Sequence, residues 1–477
     1  MKRLVFCFDG TWDKLGTGSP TNVVLTAQSV SPVAGDGKTQ IIHYDQGVGT
    51  TKETEATGGM FGKGLLDNIV RAYAFLIFNY EIGDEIFVFG FSRGAYTARS
   101  FAGLLRNVGI LRRSDAGRIT ESVLRYQNRG NESHISEALM RYRLEASPFV
   151  CVSREEDAWR TRNVPGYVAG SRPVLRIRYV GVWDTVGSLG IPDNIFFAPL
   201  INKAAKFHDT ELSEFVVSAR HAVSIDEKRK SFSPTLWTNF ETLNASLGFG
   251  PDDADAPYLQ RWFPGDHGSV GGGAPERGLS DVSLDWIVRG ARDAGLDLDT
   301  TASSQIFSLN PNPGAPLKNY TPKKLTLLDR LMKLMPTADR MPGPERISEL
   351  SPNVIKRWSM TAAELPEKAL YRPKTLSRVA DALNNHIAAA GPDAPVVPVS
   401  PAAPIMPTPE AGKHYRIVRG DTLSKIAERV YGDMKKYPLI EKANPSLLDG
   451  PNQIYKGQII YIPLEAAGAA AEVKAKT

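Results

Sequence analysis

Cysteine is scarce in this chain, since its 477 residues include only two, Cys7 and Cys151. So small a number excludes a disulfide framework and a metal site built from several cysteines. We therefore expect a protein made in a reducing compartment, and we expect it to need no metal ion and no organic cofactor.

Long hydrophobic runs are also missing, because no 18 consecutive residues are apolar. A membrane-spanning helix needs about 20 such residues, so we expect none. The apolar start, Leu4 to Phe8, is interrupted by Asp9 and is too short for the hydrophobic region of a signal peptide. The net charge of +5 is small for this length, which argues against a dedicated nucleic-acid-binding protein.

One stretch combines a strand, a tight turn and a helix within residues 84–100. Ile86–Phe89 is typical of a buried strand, and the next residues, Gly90-Phe-Ser-Arg-Gly94, form a G-x-S-x-G motif. In that context the motif predicts a nucleophile elbow, with Ser92 as the nucleophile. The backbone N–H of Arg93 would then face the developing oxyanion. The alternative is a plain turn with two glycines and an idle serine.

Strands and helices alternate along the first 300 residues, which predicts an α/β-hydrolase-like fold with a mostly parallel sheet. Besides the elbow strand, we predict strands at residues 4–8, 40–46, 174–182, 234–240 and 259–263. We predict helices at residues 65–80, 212–225 and 279–294, the last of them capped by Ser280.

The chain is too long for one ordinary domain, so further units are expected. The predicted units are a catalytic domain at 1–300 with cap insertions at about 112–170 and 191–209, a helical or irregular extension at 301–390, a Pro- and Ala-rich linker at 391–412, a small module at 413–464 and a disordered tail at 465–477. Within the extension, Lys318–Met335 is typical either of a basic helix on a membrane or of a surface helix packed on its own domain.

A serine nucleophile needs a base, and the base needs a carboxylate to orient it. In α/β-hydrolases both follow the serine along the chain, which leaves His208, His221, His267, His386 and His414. His267 lies on a glycine-rich loop directly after a predicted strand, whereas His221 falls within a predicted helix. We therefore expect His267 to be the base.

Asp184 is the preferred acid because it directly follows an apolar strand, and active sites of open α/β sheets lie at such strand ends. The alternatives are Asp226, Asp266 and Asp281.

A second oxyanion donor is expected on the loop after the first strand. Gly10 and Thr11 are the candidates, since glycine allows a backbone to approach closely. Asp9 either holds this loop in shape or simply forms the turn.

Five motifs that occur together resemble those of a known family. They are Phe8-Asp-Gly-Thr-Trp12, Gly47-Val-Gly-Thr50, Gly90-Phe-Ser-Arg-Gly-Ala-Tyr-Thr-Ala-Arg99, Gly181-Val-Trp-Asp-Thr-Val-Gly187 and the glycine-rich loop with His267. Over roughly residues 3–295 the chain resembles the α/β-hydrolase lipase effectors of bacterial type VI secretion, in the branch with a G-x-S-x-G nucleophile. The resemblance implies a phospholipase of A1 or A2 type, with a triad of Ser92, Asp184 and His267.

The small module at 413–464 resembles a LysM domain. The resemblance rests on three segments, Tyr415–Ala427, Ala443-Asn-Pro445 and Ile454–Pro463, in a predicted strand–helix–helix–strand order. It implies binding of N-acetylglucosamine-containing glycans such as peptidoglycan. The residues flanking the implied groove are Gly420, Asp421, Thr422, Asn444 and Pro445. Modules of this kind also serve in the assembly of secreted particles, which leaves a structural role open.

The leading hypothesis is a lipolytic serine hydrolase that meets a phospholipid membrane while its LysM module holds envelope glycan. The resemblance adds a secretion-apparatus protein and a cognate immunity protein as partners, and no nucleic acid. The protein would be made in the bacterial cytoplasm without a signal peptide and would act at the envelope or periplasm of a target cell. The alternative functions are a serine esterase or thioesterase on a small soluble ester, or a non-catalytic cell-wall-binding scaffold. The alternative location is the cytoplasm.

Overall fold

The structure is a computed structural model of the whole chain. It describes residues 1–10, 19–47, 60–130, 132–187, 211–300, 308–317, 337–391, 411–412, 414–417, 421–444, 454 and 459–464. The second cap insertion (191–209), the Lys318–Met335 segment and the tail lie outside the described residues, as does most of the linker.

Six parallel strands form the central sheet in the order β2-β1-β3-β4-β5-β6. Their bounds are β1 Arg3–Phe8, β2 Gln40–Asp45, β3 Glu85–Phe91, β4 Ile177–Trp183, β5 Ala219–Ser224 and β6 Tyr258–Phe263. Because all six run the same way, their carboxyl ends meet at one edge of the sheet, where α/β proteins place their sites.

Helices cover both faces of the sheet. In chain order they are α1 Asn22–Ser29, α2 Met60–Asn79, α3 Arg93–Val108, α4 Ile119–Gln127, α5 Glu137–Ala146, α6 Arg154–Asn163, α7 Phe240–Ser246, α8 His267–Gly271, α9 Gly278–Asp293, α10 Pro352–Ser359 and α11 Ala380–Ala390. Short 3-10 turns occur at Arg113–Arg118, Lys230–Phe232, Ile347–Glu349 and Lys374–Val379.

Two hydrophobic cores lie on opposite faces of the sheet. Leu4 and Phe6 of β1 point into the core with α2 and α3, whereas Val5 and Cys7 point into the core with α1 and α9. This alternation follows from the two-residue period of a strand. Since both faces are covered, the central strands are apolar almost throughout, as a parallel sheet requires.

Three predictions about secondary structure were wrong. Residues 212–225 form no helix but contain β5. The prediction failed because their apolar side chains recur at helical spacing, although these side chains belong to different cores. Residues 234–240 form no strand, since Pro234 makes only an isolated bridge and Trp237 bonds a side chain, Gln260, instead of a neighbouring strand. Ser280 does not cap α9, because its hydroxyl donates to the carbonyl of Arg277.

The first cap insertion and the extension are both ordered where they are described. The insertion contains α4, α5 and α6, as its polar, helical composition predicts. The extension contains α10 and α11 and packs Leu350, Val354 and Trp358 on Val223 and Trp262 of the sheet. It therefore covers the β6 edge with a hydrophobic cluster.

The C-terminal module has the predicted strand–helix–helix–strand order. Its elements are β7 His414–Arg416, α12 Leu423–Tyr431, a 3-10 turn Met434–Lys436, α13 Tyr437–Ala443 and β8 Ile459–Tyr461, with β7 antiparallel to β8. Its small core includes Tyr415, Ile426 and Ile460. Across the described residues, every helix of the protein is too short or too polar to span a bilayer.

Candidate active site

The G-x-S-x-G motif forms a sharp turn between β3 and α3. Ser92 has φ 59° and ψ −123°, a conformation that non-glycine residues adopt only when their surroundings enforce it. A Cβ on Gly90 would lie 2.5 Å from the carbonyl oxygen of Gly94, and one on Gly94 would lie 2.2 Å from that of Phe8. Both glycines are therefore required for the turn to close, and the turn places the Ser92 hydroxyl at the strand ends, where it is buried against His267.

His267 faces this hydroxyl from the first residue of α8. Its Nε2 lies 2.8 Å from Ser92 Oγ. Asp266 caps α8 by accepting from the N–H of Ser269, which fixes the start of the helix. The imidazole lies between two aromatic rings, with centroids 4.6 Å from Phe91 and 4.8 Å from Phe232. These contacts hold the ring plane in the direction of Ser92.

Asp184, directly after β4, lies on the other side of the imidazole. Its Oδ2 is 2.5 Å from Nδ1 of His267. Because a carboxylate only accepts, Nδ1 carries the proton, and Nε2 is left to accept from the serine hydroxyl. The N–H of Ser224 donates to Oδ1 at 2.9 Å. The structure thus brings the predicted serine, histidine and aspartate into one hydrogen-bonded chain.

Arg340 contacts the same carboxylate, and sequence reasoning missed it. Its Nη1 and Nη2 donate to Asp184 Oδ1 and Oδ2 at 2.5 and 2.9 Å. Burial raises the pKa of Asp184, but the charge and hydrogen bonds of Arg340 and His267 outweigh it and hold that pKa well below its usual range. No local pattern could reveal this pair, since 156 positions separate its members.

His221 supports the loop that carries Asp184. It lies on β5, where Nδ1 donates to Gln260 Oε1 at 2.9 Å and Nε2 accepts the N–H of Thr185 at 3.2 Å. Both ring nitrogens are engaged in the neutral form, and burial lowers the pKa of His221 to about 3. It therefore anchors the residue that follows Asp184.

The alternative acids have partners away from His267 Nδ1. Asp226 accepts from Gly265 N–H and the Tyr371 hydroxyl, both at 2.8 Å. Asp281 pairs with Arg277, and Asp266 is the α8 cap.

The predicted oxyanion donors differ in where their N–H groups point. The N–H of Arg93 lies in the first turn of α3, at the positive end of the helix dipole. The N–H of Gly10 donates to Asp9 Oδ1 at 2.7 Å, which directs it toward that carboxylate. Thr21 and Tyr44 also donate to Asp9, so this side chain holds the loop in shape. Thr11 lies outside the described residues.

A metal centre has no basis in the described part of the chain, where no three His, Cys, Asp or Glu side chains converge on a common point. Cys7 and Cys151 are buried free thiols, and burial raises the pKa of both.

In the C-terminal module, the side chains predicted to flank a groove have internal partners. Asp421 accepts from the Tyr415 hydroxyl at 2.8 Å and pairs with Arg429. Thr422 caps α12. Asn444 bridges the carbonyls of Ile440 and Tyr461 and accepts from the N–H of Tyr461. Gly420 and Pro445 lie outside the described residues.

Two family models match the chain. Residues 2–290 match the catalytic domain of the Tle1-like phospholipase effectors of the type VI secretion system. Residues 415–463 match the LysM domain, in agreement with the strand–helix–helix–strand order of the module.

Two curated relatives are similar over part of their length. One is an uncharacterized protein of Saccharomyces cerevisiae, 27% identical over 252 residues, which are 50% of this chain and 33% of the relative. The other is the potassium binding protein Kbp of Escherichia coli, 44% identical over 55 residues, which are 12% of this chain and 37% of Kbp. The chain thus spans about a third of the length of the curated relatives it matches.

Two solved structures are similar over part of their length. An uncharacterized protein from Pseudomonas aeruginosa is 18% identical, with 62% of this chain and 46% of that chain covered and a TM-score of 0.34. The Tle1 effector, solved bound to the VgrG spike of the type 6 secretion system, is 19% identical, with 58% and 52% covered and a TM-score of 0.29.

Proposed function

The chain belongs to the Tle1-like phospholipase effectors of type VI secretion, and we propose that it hydrolyses phospholipid acyl esters through Ser92, His267 and Asp184. The observation that carries this proposal is the unbroken chain of hydrogen bonds from Ser92 Oγ through the imidazole to Asp184. It lies at the carboxyl edge of the sheet, on a strained turn that directs the hydroxyl toward His267.

Acylation begins at the serine. Ser92 Oγ attacks the carbonyl carbon of the ester while His267 Nε2 takes the hydroxyl proton. Asp184 holds the tautomer that leaves Nε2 able to accept, and its charge stabilises the imidazolium that forms. The tetrahedral oxyanion is stabilised by the N–H of Arg93 at the start of α3. For Gly10 to add a second donor, its N–H must exchange Asp9 for the oxyanion.

The imidazolium then acts as the acid that completes acylation. The imidazolium gives its proton to the departing alkoxide, so a lysophospholipid leaves and the acyl group stays on Ser92 Oγ. Water then attacks the acyl-enzyme as His267 takes its proton, and the imidazolium returns that proton to Ser92 Oγ as the fatty acid is released. Cleavage of an acyl ester in this way is a phospholipase reaction of A1 or A2 type.

The LysM domain is the proposed targeting module. We propose that it binds peptidoglycan or another N-acetylglucosamine glycan and keeps the hydrolase close to the envelope of a target cell. Since Asp421, Thr422 and Asn444 have internal partners, backbone groups and neighbouring surface atoms would make the glycan contacts. A secretion-apparatus protein would deliver the chain, and an immunity protein would protect the producing cell.

The direct test is the release of fatty acid from vesicles of defined phospholipid by the full chain and by Ser92→Ala. We expect the variant to lose at least about 10⁴-fold in kcat while keeping its circular dichroism spectrum and melting temperature. Ser100→Ala is a matched control, because Ser100 is a buried serine of α3, the helix that follows Ser92, and its hydroxyl has no hydrogen-bond partner among the residues that the structure describes. Continued hydrolysis by Ser92→Ala would overturn the proposal.

A further inference from the structure

The guanidinium of Arg340 is enclosed by the loops that hold the acid of the site. Besides its two bonds to Asp184, Nη1 donates to the carbonyl of Ser224 at 2.9 Å and Nη2 to that of Phe232 at 2.7 Å. The residue is only 6% exposed. Arg340 and Asp184 therefore form a buried, bidentate salt bridge and not a surface ion pair.

We propose that Arg340 is a positioning residue for the hydrolysis, and that the extension delivers it to complete a site whose other members lie within residues 1–300. The inference rests on the proposed function of Ser92, His267 and Asp184. Arg340 lies outside residues 2–290, the part that matches the catalytic-domain family model. The functional catalytic unit of this chain therefore extends into residues 337–391.

The extension is anchored on both sides of Arg340. Before it, the N–H of Ala338 donates to the carbonyl of Lys228 at 2.8 Å. After it, Gly343 approaches Thr375 so closely that a Cβ on Gly343 would lie 1.8 Å from the Thr375 carbonyl oxygen. The Thr375 hydroxyl in turn donates to the carbonyl of Ile225, directly after β5. Arg340 is thus held from the same strand end that supports Asp184.

A second part of the extension reaches the loop of the base. The carbonyl of Leu317 accepts from the N–H of Asp266 and from the Ser269 hydroxyl, at 3.2 and 2.9 Å. These two residues flank His267. The extension consequently contacts both the acid and the base loops of the site.

Two consequences follow from the fork geometry. Two parallel N–H donors fix the plane of the Asp184 carboxylate, so Oδ2 points at His267 Nδ1. The positive charge also offsets the negative charge that stabilises the imidazolium. Without Arg340 the carboxylate would be held only by the Ser224 N–H and His267, and an imidazolium beside a carboxylate without its arginine would be harder to deprotonate.

The test compares full-chain Arg340→Met and Arg340→Lys with wild type. For Arg340→Met we expect kcat to fall about 100-fold with KM within about twofold, because a misplaced catalytic group costs rate and not binding. We also expect the acid limb of its pH–kcat profile to move up by about one pH unit. Arg340→Lys should restore the position of the limb but only part of kcat, since lysine lacks the fork.

Arg357→Met is the matched control. Arg357 is buried in the same extension and donates to the carbonyls of Pro313 and Ala315 and to Glu367, with no contact to the triad. It should lower the melting temperature without moving the pH limb. If Arg340→Met fails to fold, Arg340→Lys, which keeps the buried charge paired, carries the test through its reduced kcat.

The inference is overturned if both Arg340 variants, corrected for folded fraction, match Arg357→Met in kcat and in pH profile. Ser92→Ala, assayed in parallel, separates the two failures. An active Ser92→Ala overturns the proposed function itself, whereas an inactive Ser92→Ala beside unaffected Arg340 variants overturns only the role of Arg340.

Discussion

The two ends of the site are held in place by different physical means. At the nucleophile end, the backbone fixes Ser92, through a positive φ and through glycines whose missing side chains let β1, β3 and α3 meet. At the acid end the backbone is also strained, with φ 38° at Asp184, but the side chain is held by charge and hydrogen bonding from His267, Ser224 N–H and Arg340. The turn of the first device lies within Gly90–Gly94, although it packs against Phe8 of β1, whereas the second device joins positions as far apart as 184 and 340.

This difference predicts how each end fails. Steric exclusion cannot be relieved by a small movement when the obstacle is backbone, so a side chain added to the elbow glycines should appear as lost stability. An amide in place of the carboxylate still fits its space, so damage at the acid end should appear as a lower rate of the folded protein, in addition to the stability lost when Arg340 is left unpaired.

Asp184→Asn breaks the acid end and should have the largest effect. An asparagine presents an NH₂ group where a carboxylate oxygen is needed, which favours the wrong imidazole tautomer. We expect kcat to fall about 10⁴-fold, or about 5.5 kcal/mol in activation free energy, with KM little changed. Steady-state hydrolysis of a phospholipid measures both parameters.

Asp84→Asn is the matched control for that variant. Asp84 is another buried aspartate, paired with Lys2 before the start of β3 and so at the opposite edge of the sheet. It should leave kcat unchanged in the folded protein. Equal losses from the two variants would mean that the acid end has no special part in the reaction.

Gly94→Ala breaks the nucleophile end. Its Cβ would lie 2.2 Å from the Phe8 carbonyl oxygen and 2.4 Å from that of Asp9, and neither backbone can yield cheaply. We expect a loss of about 3 kcal/mol or more in the free energy of unfolding, measured by urea titration.

Gly117→Ala tests whether that loss is steric. A Cβ at Gly117 would have open space around it, so this variant should change the free energy of unfolding by less than about 0.5 kcal/mol. A Gly94→Ala protein as stable as Gly117→Ala would contradict the backbone account of the elbow.

Asp226 sharpens the comparison, because it is a buried carboxylate without an arginine bonded to it. Burial raises its pKa to about 6 despite hydrogen bonds from Gly265 and Tyr371. A raised acid pKa favours folding below the unfolded value near 4, and this stability is lost as pH rises through 6. At pH 8 the free energy of unfolding of Asp226→Asn should therefore be higher than that of wild type by up to about 2 kcal/mol.

The same pair compared at pH 4.5 provides the control for Asp226. There wild-type Asp226 is largely protonated, so the two proteins should differ little in melting temperature. Asp184, whose pKa is lowered, has the opposite pH dependence. The stability that it contributes to the fold is lost only as pH falls below 4. If Asp226→Asn were more stable than wild type by the same amount at both pH values, the raised pKa would be contradicted.

Sequence reasoning succeeded where the physical cause is local. The elbow demands glycines at fixed spacing around a serine, and a buried parallel strand before it is apolar throughout, so Gly90–Gly94 and β3 were predictable. The C-terminal module was predictable for the same reason, as its caps and short core follow one another within 50 residues.

The rest required the three-dimensional arrangement. Residues 212–225 carry apolar side chains at helical spacing, although only their last part enters the sheet as β5. Whether such a run forms a strand depends on a neighbouring strand that the sequence does not show. The pairing of Arg340 with Asp184 spans 156 positions, and the internal use of Asn444 depends on Tyr461 across the module.

The most direct measurement for the whole account is the site of covalent labelling by a lipid-like fluorophosphonate. Such a probe reports on an activated serine without requiring any particular phospholipid. Peptide mapping by mass spectrometry should place one phosphonyl group on the Ser92 peptide, with labelling abolished in His267→Ala. A label on another residue, or a wild-type protein that hydrolyses phospholipid without being labelled at Ser92, would contradict it.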